Sequence, residues 1–173
     1  MNRRSFLATA VSFAAYSFFI PRKRALRWFN RFRHIDFLGE DELEIAVCAA
    51  EYVYPEDDSA GAKMLGIRDF FRRQLRFNHN THYLEAVREV CAIIQKHSKH
   101  HFSRPFLDLQ LIEQQLLLAN VFEDNLPQNA ERLNMFINFT LEGCFCDPSH
   151  GGNRSFKGWE IMGEHLKREW FDV

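Results

Sequence analysis

From Glu40 onward the apolar residues of this chain recur at helical spacing and never alternate over a useful length. That pattern removes most sheet-based folds from consideration. Leu43, Ile45, Ala46, Val47 and Ala50 open it. Asp41 and Glu42 stand in the first turn, where acids suit the helix dipole, and Pro55 drives Tyr54 out of the helical region. Glu56 to Gly61 reads as loop. Ala62 to Phe77 is the next predicted helix, with Ile67, Phe70, Phe71 and Leu75 on one face and Arg68, Arg72, Arg73 and Arg76 on the other. Asn78-His79-Asn80 ends it. Thr81 is the expected N-cap of a helix over Tyr83 to His97, Asp108 of one running to about Phe122, and Asn129 of one over Ala130 to Glu142. There is no Asn-Gly or Asp-Gly hairpin signal. The expected fold is all-α: a bundle of about five helices with a long C-terminal loop rich in glycine and proline.

The N-terminus carries a different signal. Arg3-Arg4-Ser5-Phe6-Leu7 leads into an uncharged run from Phe6 to Ile20. A positive n-region before a short apolar h-region reads as an export signal, and the paired arginines point to the twin-arginine translocase, with Arg3, Arg4, Phe6 and Leu7 as its determinants. The run is shorter than the roughly twenty residues a spanning helix needs. No A-x-A cleavage site follows; Pro21-Arg22-Lys23-Arg24 comes at once. The signal is therefore either cleaved or kept as a membrane anchor. The expected organisation is a signal or anchor helix with its basic tract over 1–33, followed by one helical domain over 34–173.

Charge is divided along the same boundary. Residues 1–33 hold eight of the 22 Lys and Arg and no acid, which leaves 14 bases against 23 acids, or −9, from His34 onward. A body that acidic is a poor nucleic-acid binder, because duplex affinity rests on neutralising phosphates. The chain also has 18 phenylalanines. Phe suits both cores and interfaces, and a domain of this size can bury only some of them, so the remainder point to a partner surface.

The most specific stretch is Thr140 to Trp159, which packs Pro148, four glycines, an Asp and an Asn into little space. Gly-Gly-Asn suits neither helix nor strand, and both residue types tolerate positive φ. Glu142-Gly143, Asp147-Pro148, Gly151-Gly152-Asn153 and Gly158-Trp159 resemble the signature of the gluconate 2-dehydrogenase subunit 3 family. Ser59-Ala60-Gly61-Ala62-Lys63 and Phe106, Leu109, Gln114 and Leu117 extend the resemblance over roughly Glu40 to Met162. The charged tail Gly163 to Trp170 departs from the family, whose members often end in a Pro-Gly turn soon after Gly-Trp. The resemblance implies a non-catalytic gamma subunit that escorts a large flavoprotein dehydrogenase to the periplasm. FAD would sit on that large subunit and haem on a cytochrome c subunit, with the complex at the inner membrane. Cys144, Cys146, Asp147, Pro148, Gly151, Gly152, Asn153 and Trp159 are the expected partner-binding residues; for Trp159 the competing role is a plug in the bundle.

The chain has no G-x-G-x-x-G after a strand, no P-loop and no C-x-x-C-H, so flavin, nicotinamide and haem find no place within it. Cys144 and Cys146, with His150 nearby, form the weaker alternative of a small metal-binding protein, although structural zinc normally takes four ligands and wider thiolate spacing. A bond between the two cysteines would close a very small, strained ring. An oxidising destination then leaves two readings: one of them bonds to another chain, or both are buried as small hydrophobes. Cys48 and Cys91 fall on apolar helical faces and read as core. His97, His100 and His101 read as a solvated helix end, and Glu56-Asp57-Asp58 lacks the spacing of a calcium loop. Ser149 beside His150 is sequence adjacency, which is not catalytic geometry. A free-standing periplasmic helical binding or anchoring protein is the remaining alternative.

Overall fold

The computed structural model describes residues 38–123 and 129–162. The expected export determinants Arg3, Arg4, Phe6 and Leu7, the basic tract and the tail after Met162 lie outside these residues. The described residues belong to one structural unit. They form helices α1 (Glu40–Val53), α2 (Ile67–Gln74), α3 (Thr81–Phe102), α4 (Leu111–Glu123), α5 (Ala130–Phe145) and the short α6 (Lys157–Ile161), joined by 3-10 turns and loops. No strand occurs among them, and the fold is all-α.

Local chemistry explains most boundaries, including those that differ from expectation. The Glu42 carboxylate accepts from the Gly39 N–H at 3.0 Å and tethers the start of α1. The predicted second helix begins five residues late. Ala62 to Gly66 is a separate turn, and Gly66 has φ 88°, a left-handed value that breaks the helical path before Ile67. Thr81 is the first residue of α3 rather than its cap. Asn80 precedes it, with its side-chain amide donating to the Gln74 carbonyl at 2.9 Å. α3 then continues past His97 to Phe102, its last turn carrying Lys99, His100 and His101 toward the negative end of the dipole. Asp108 does not cap α4 either: it lies in the 3-10 turn Phe106–Asp108, and Glu113 reaches back to the Gln110 N–H at 2.8 Å instead. Asn129 precedes α5 without a side-chain capping bond, and α5 runs on to Phe145, which places Cys144 inside the helix.

The core lies where α2, α3 and α5 meet, with the most extensive helix pairing between α3 and α5. Phe70, Phe71, Phe136 and Phe139 are fully buried there. The Phe139 ring stacks on Phe71 with centroids 5.5 Å apart and on Tyr83 at 4.3 Å. Phe70 tilts against it at 4.9 Å. Such offset pairs add to the burial of area itself. α1 contributes Leu43, Ile45, Val47 and three buried alanines from one face. Among the described residues no helix is long and apolar enough to cross a membrane.

Candidate functional site

The last backbone carbonyls of a helix have no partner within it, so something outside must supply donors. At α5 the supplier is the Gly-Gly-Asn…Gly-Trp segment. Gly143 O accepts from the Asn153 N–H at 3.0 Å, whereas Glu142 O keeps a helical bond from the Cys146 N–H at 2.8 Å. Phe145 O accepts from the Trp159 indole N–H at 2.7 Å. The Asn153 side chain completes the closure. Its amide nitrogen donates to Cys146 O at 2.8 Å, and its Oδ1 accepts from the Gly158 N–H at 2.7 Å. Asn153 is fully buried, and both ends of its amide are satisfied. An isolated buried amide would be costly; this one is a fastener.

The glycines are placed for close approach. A Cβ on Gly152 would lie 1.9 Å from the Gly143 oxygen, and one on Gly158 would lie 2.2 Å from the Cys144 oxygen. A Cβ on Gly143 would meet Ile67 at 2.5 Å and the Phe70 ring at 2.6 Å. Positive φ, the expected reason for Gly-Gly-Asn, applies to Gly151 at 105° and Asn153 at 44° but not to Gly152. Backbone strain gathers just beyond, where Ser155 and Phe156 both have φ 60°. For a bulky residue this is an uncommon conformation. The Phe156 ring leans on Trp159, centroids 5.1 Å apart.

The same segment is fastened along α2. The Arg154 N–H donates to Leu65 O at 2.9 Å, and its guanidinium pairs with Asp69 at 2.6 Å. Gln74 donates to His150 O at 3.0 Å, and Arg73 to Ser149 O. Asp147 accepts from the Ser149 N–H at 2.8 Å and opens the turn Pro148–His150; the Ser149 hydroxyl first, and then its N–H, hold the carboxyl below the ordinary value. Between α2 and this segment runs an open groove of about 700 Å³ walled by Arg72, Arg73, Arg76 and Arg154. The arginine face of α2 was legible in the sequence. Its meeting with Arg154 was not, because that requires knowing where the loop lands.

Of the residues expected at a partner surface, Cys144, Gly152 and Asn153 are buried within the domain, while Cys146, Asp147, Pro148, Gly151 and Trp159 are half-buried. Burial pushes the Cys144 thiol up to about 12 and also raises that of Cys146, whose Sγ lies 3.6 Å from Gly143 O. Of the two thiols, Cys146 is the more accessible. The metal alternative loses its ligand set: among the described residues no three His, Cys, Asp or Glu side chains converge, and the exposed His150 turns to Gln74. Cys91 is buried as expected, with its thiol near 12, whereas Cys48 is only half-buried.

No curated protein and no solved structure matches this chain. The model of one family, described as gluconate 2-dehydrogenase subunit 3, matches residues 40–164, from the first turn of α1 through the whole fastening segment. That stretch is most of the chain and holds the asparagine, the glycines and the tryptophan that close α5, so the chain belongs to the gluconate 2-dehydrogenase subunit 3 family and is one component of a multi-subunit dehydrogenase.

Proposed function

We propose that this chain is the non-catalytic gamma subunit of a membrane-associated, FAD-dependent, gluconate 2-dehydrogenase-like complex. It escorts the large flavoprotein subunit through the twin-arginine translocase and stabilises it afterwards. FAD resides on the flavoprotein and haem on a cytochrome c subunit, and the assembly works in the periplasm at the inner membrane. The family match over residues 40–164 carries this reading. Surface composition supports it. On α4, Leu111, Ile112 and Leu116 are 71%, 73% and 59% exposed, beside a groove of about 650 Å³ between α1 and α4. Contiguous large aliphatic side chains in water mark a surface that a partner covers. The Arg3-Arg4-Ser5-Phe6-Leu7 stretch supplies a signal that one folded pair can share.

Co-expression with the flavoprotein of a neighbouring reading frame tests the proposal. The two should co-purify from the periplasm, and replacing Arg3 and Arg4 by Lys should hold both in the cytoplasm. A chain that purifies alone, with the flavoprotein exported normally in its absence, sinks the escort role and leaves a free-standing helical protein.

A further inference from the structure

We infer that the groove between α2 and the fastening segment is a docking site for an acidic peptide segment. Resting on the reading above, that segment belongs to the partner subunit. Among the described residues, the Glu40 carboxylate pairs with Arg72, and the guanidiniums of Arg72, Arg73, Arg76 and Arg154 line one groove with the Asp69 carboxylate. They do so in a domain whose charge from His34 onward is −9, from 14 bases and 23 acids. Positive charge concentrated against the sign of its own domain creates a local field that selects anions.

The arginines are held in position by the protein. Arg154 is fixed by Asp69, Arg72 by Glu40 at 2.7 Å, and Arg73 by the Ser149 carbonyl. Each guanidinium has five N–H donors in a planar fork, so these contacts leave others for a ligand carboxylate, which the fork matches in a bidentate way. Arg72 and Arg73 are exposed on α2 and Arg76 just after its end, while Phe70 and Phe71 anchor the helix in the core. Half-exposed Phe77 also lines the groove, its ring stacked on His79 at 5.5 Å. An aromatic beside arginines is the composition of an interface hot spot. The occupant that fits is an extended segment with two or more Asp or Glu and one apolar side chain for Phe77.

The test uses a fluorescein-labelled ten-residue peptide of alternating Glu and Leu, titrated against the purified full chain at 50 mM and 500 mM NaCl. Arg72→Glu/Arg76→Glu is the variant. Lys96→Glu/Lys99→Glu, on α3 and outside the groove, makes the same −4 change in net charge, and circular dichroism confirms that each variant is folded. Saturable binding that weakens at least tenfold at high salt and at least tenfold in the arginine double variant, but not in the lysine control, supports the site. Equal loss in the lysine control reveals non-specific attraction and overturns it. Absence of binding by the wild type overturns it too. Full displacement of the peptide by 5 mM inorganic phosphate shows a small-anion site instead. Self-association that the arginine double variant abolishes makes a second copy the occupant. If the groove fails while the flavoprotein still co-purifies, the subunit reading stands and docking lies elsewhere, with the α4 face the next surface to vary.

Discussion

Two buried regions of this domain are held together by opposite means. At the junction of α2, α3 and α5, Phe70, Phe71, Phe136 and Phe139 fill volume with side chains. At the end of α5, Gly143, Gly152 and Gly158 remove side chains so that backbones can touch, and Asn153 fastens what they bring together. The first region is non-directional: its energy follows area and packing, and it can lose some shape and still function. The second is directional: its energy lies in a few hydrogen bonds between groups that cannot move aside. The family signature falls almost wholly in the second.

Phe139→Ala tests the first region and should have the largest effect, lowering unfolding free energy by about 3–5 kcal/mol in urea titrations. Gly152→Ala tests the second. The added methyl meets a carbonyl oxygen rather than the end of a side chain, and about 3 kcal/mol of destabilisation is expected. Trp159 emission should shift red as the segment lifts. If Gly152→Ala costs no more than a conservative core change, the contrast collapses. Asn153→Ala comes next, at about 2 kcal/mol, since it leaves the Cys146 carbonyl and the Gly158 N–H without partners. Hydrogen exchange at Gly158 should quicken far more than at Phe71. Phe139→Leu should cost less than about 1.5 kcal/mol, and this grading by volume is what the glycine positions should lack.

The thiols sample both regions and act only at alkaline pH, so they come last near neutrality. Cys91 in the core and Cys144 in the fastened end are each raised from 9.0 to about 12, in both cases mainly by burial. In the unfolded chain they ionise near the ordinary value, so the unfolded state releases protons first as pH rises. Their contribution to stability is complete below about pH 9 and is lost progressively between 9 and 12. Cys91→Ala and Cys144→Ala should each flatten the alkaline decline seen by circular dichroism. An unchanged decline in both would place its cause elsewhere.

The helices were legible because their signal is periodic. The face of α1 and the Phe70/Phe71 pair follow from spacing alone, and the proline stop near Tyr54 was equally plain. What escaped were events governed by single residues in tertiary context. Gly66 looks like any glycine before a helix until its φ of 88° is known. Thr81 looks like a cap, but Asn80 takes that place because its amide finds the Gln74 carbonyl. The loop was recognised as specific, yet its orientation was not. Glycine serves both positive φ and close approach, and a string of letters does not distinguish the two. Asn153 consequently reads as surface when it is interior, and of the two readings open for Cys144 the buried one describes its place.

The fastening of Arg154 to Asp69 joins residues 85 apart, and that of Gln74 to His150 joins residues 76 apart. Contacts of such separation carry a large loop-closure entropy and come late in folding. During synthesis the helices are made in order, and the aromatic cluster is complete in sequence once Phe139 has emerged. The closing contacts need Asn153, Gly158 and Trp159, which all follow the aromatic cluster in the chain. Until they emerge, the Gly143, Phe145 and Cys146 carbonyls remain open to water. The nascent domain thus passes through a stage in which the bundle has its core residues and an open seam at the end of α5.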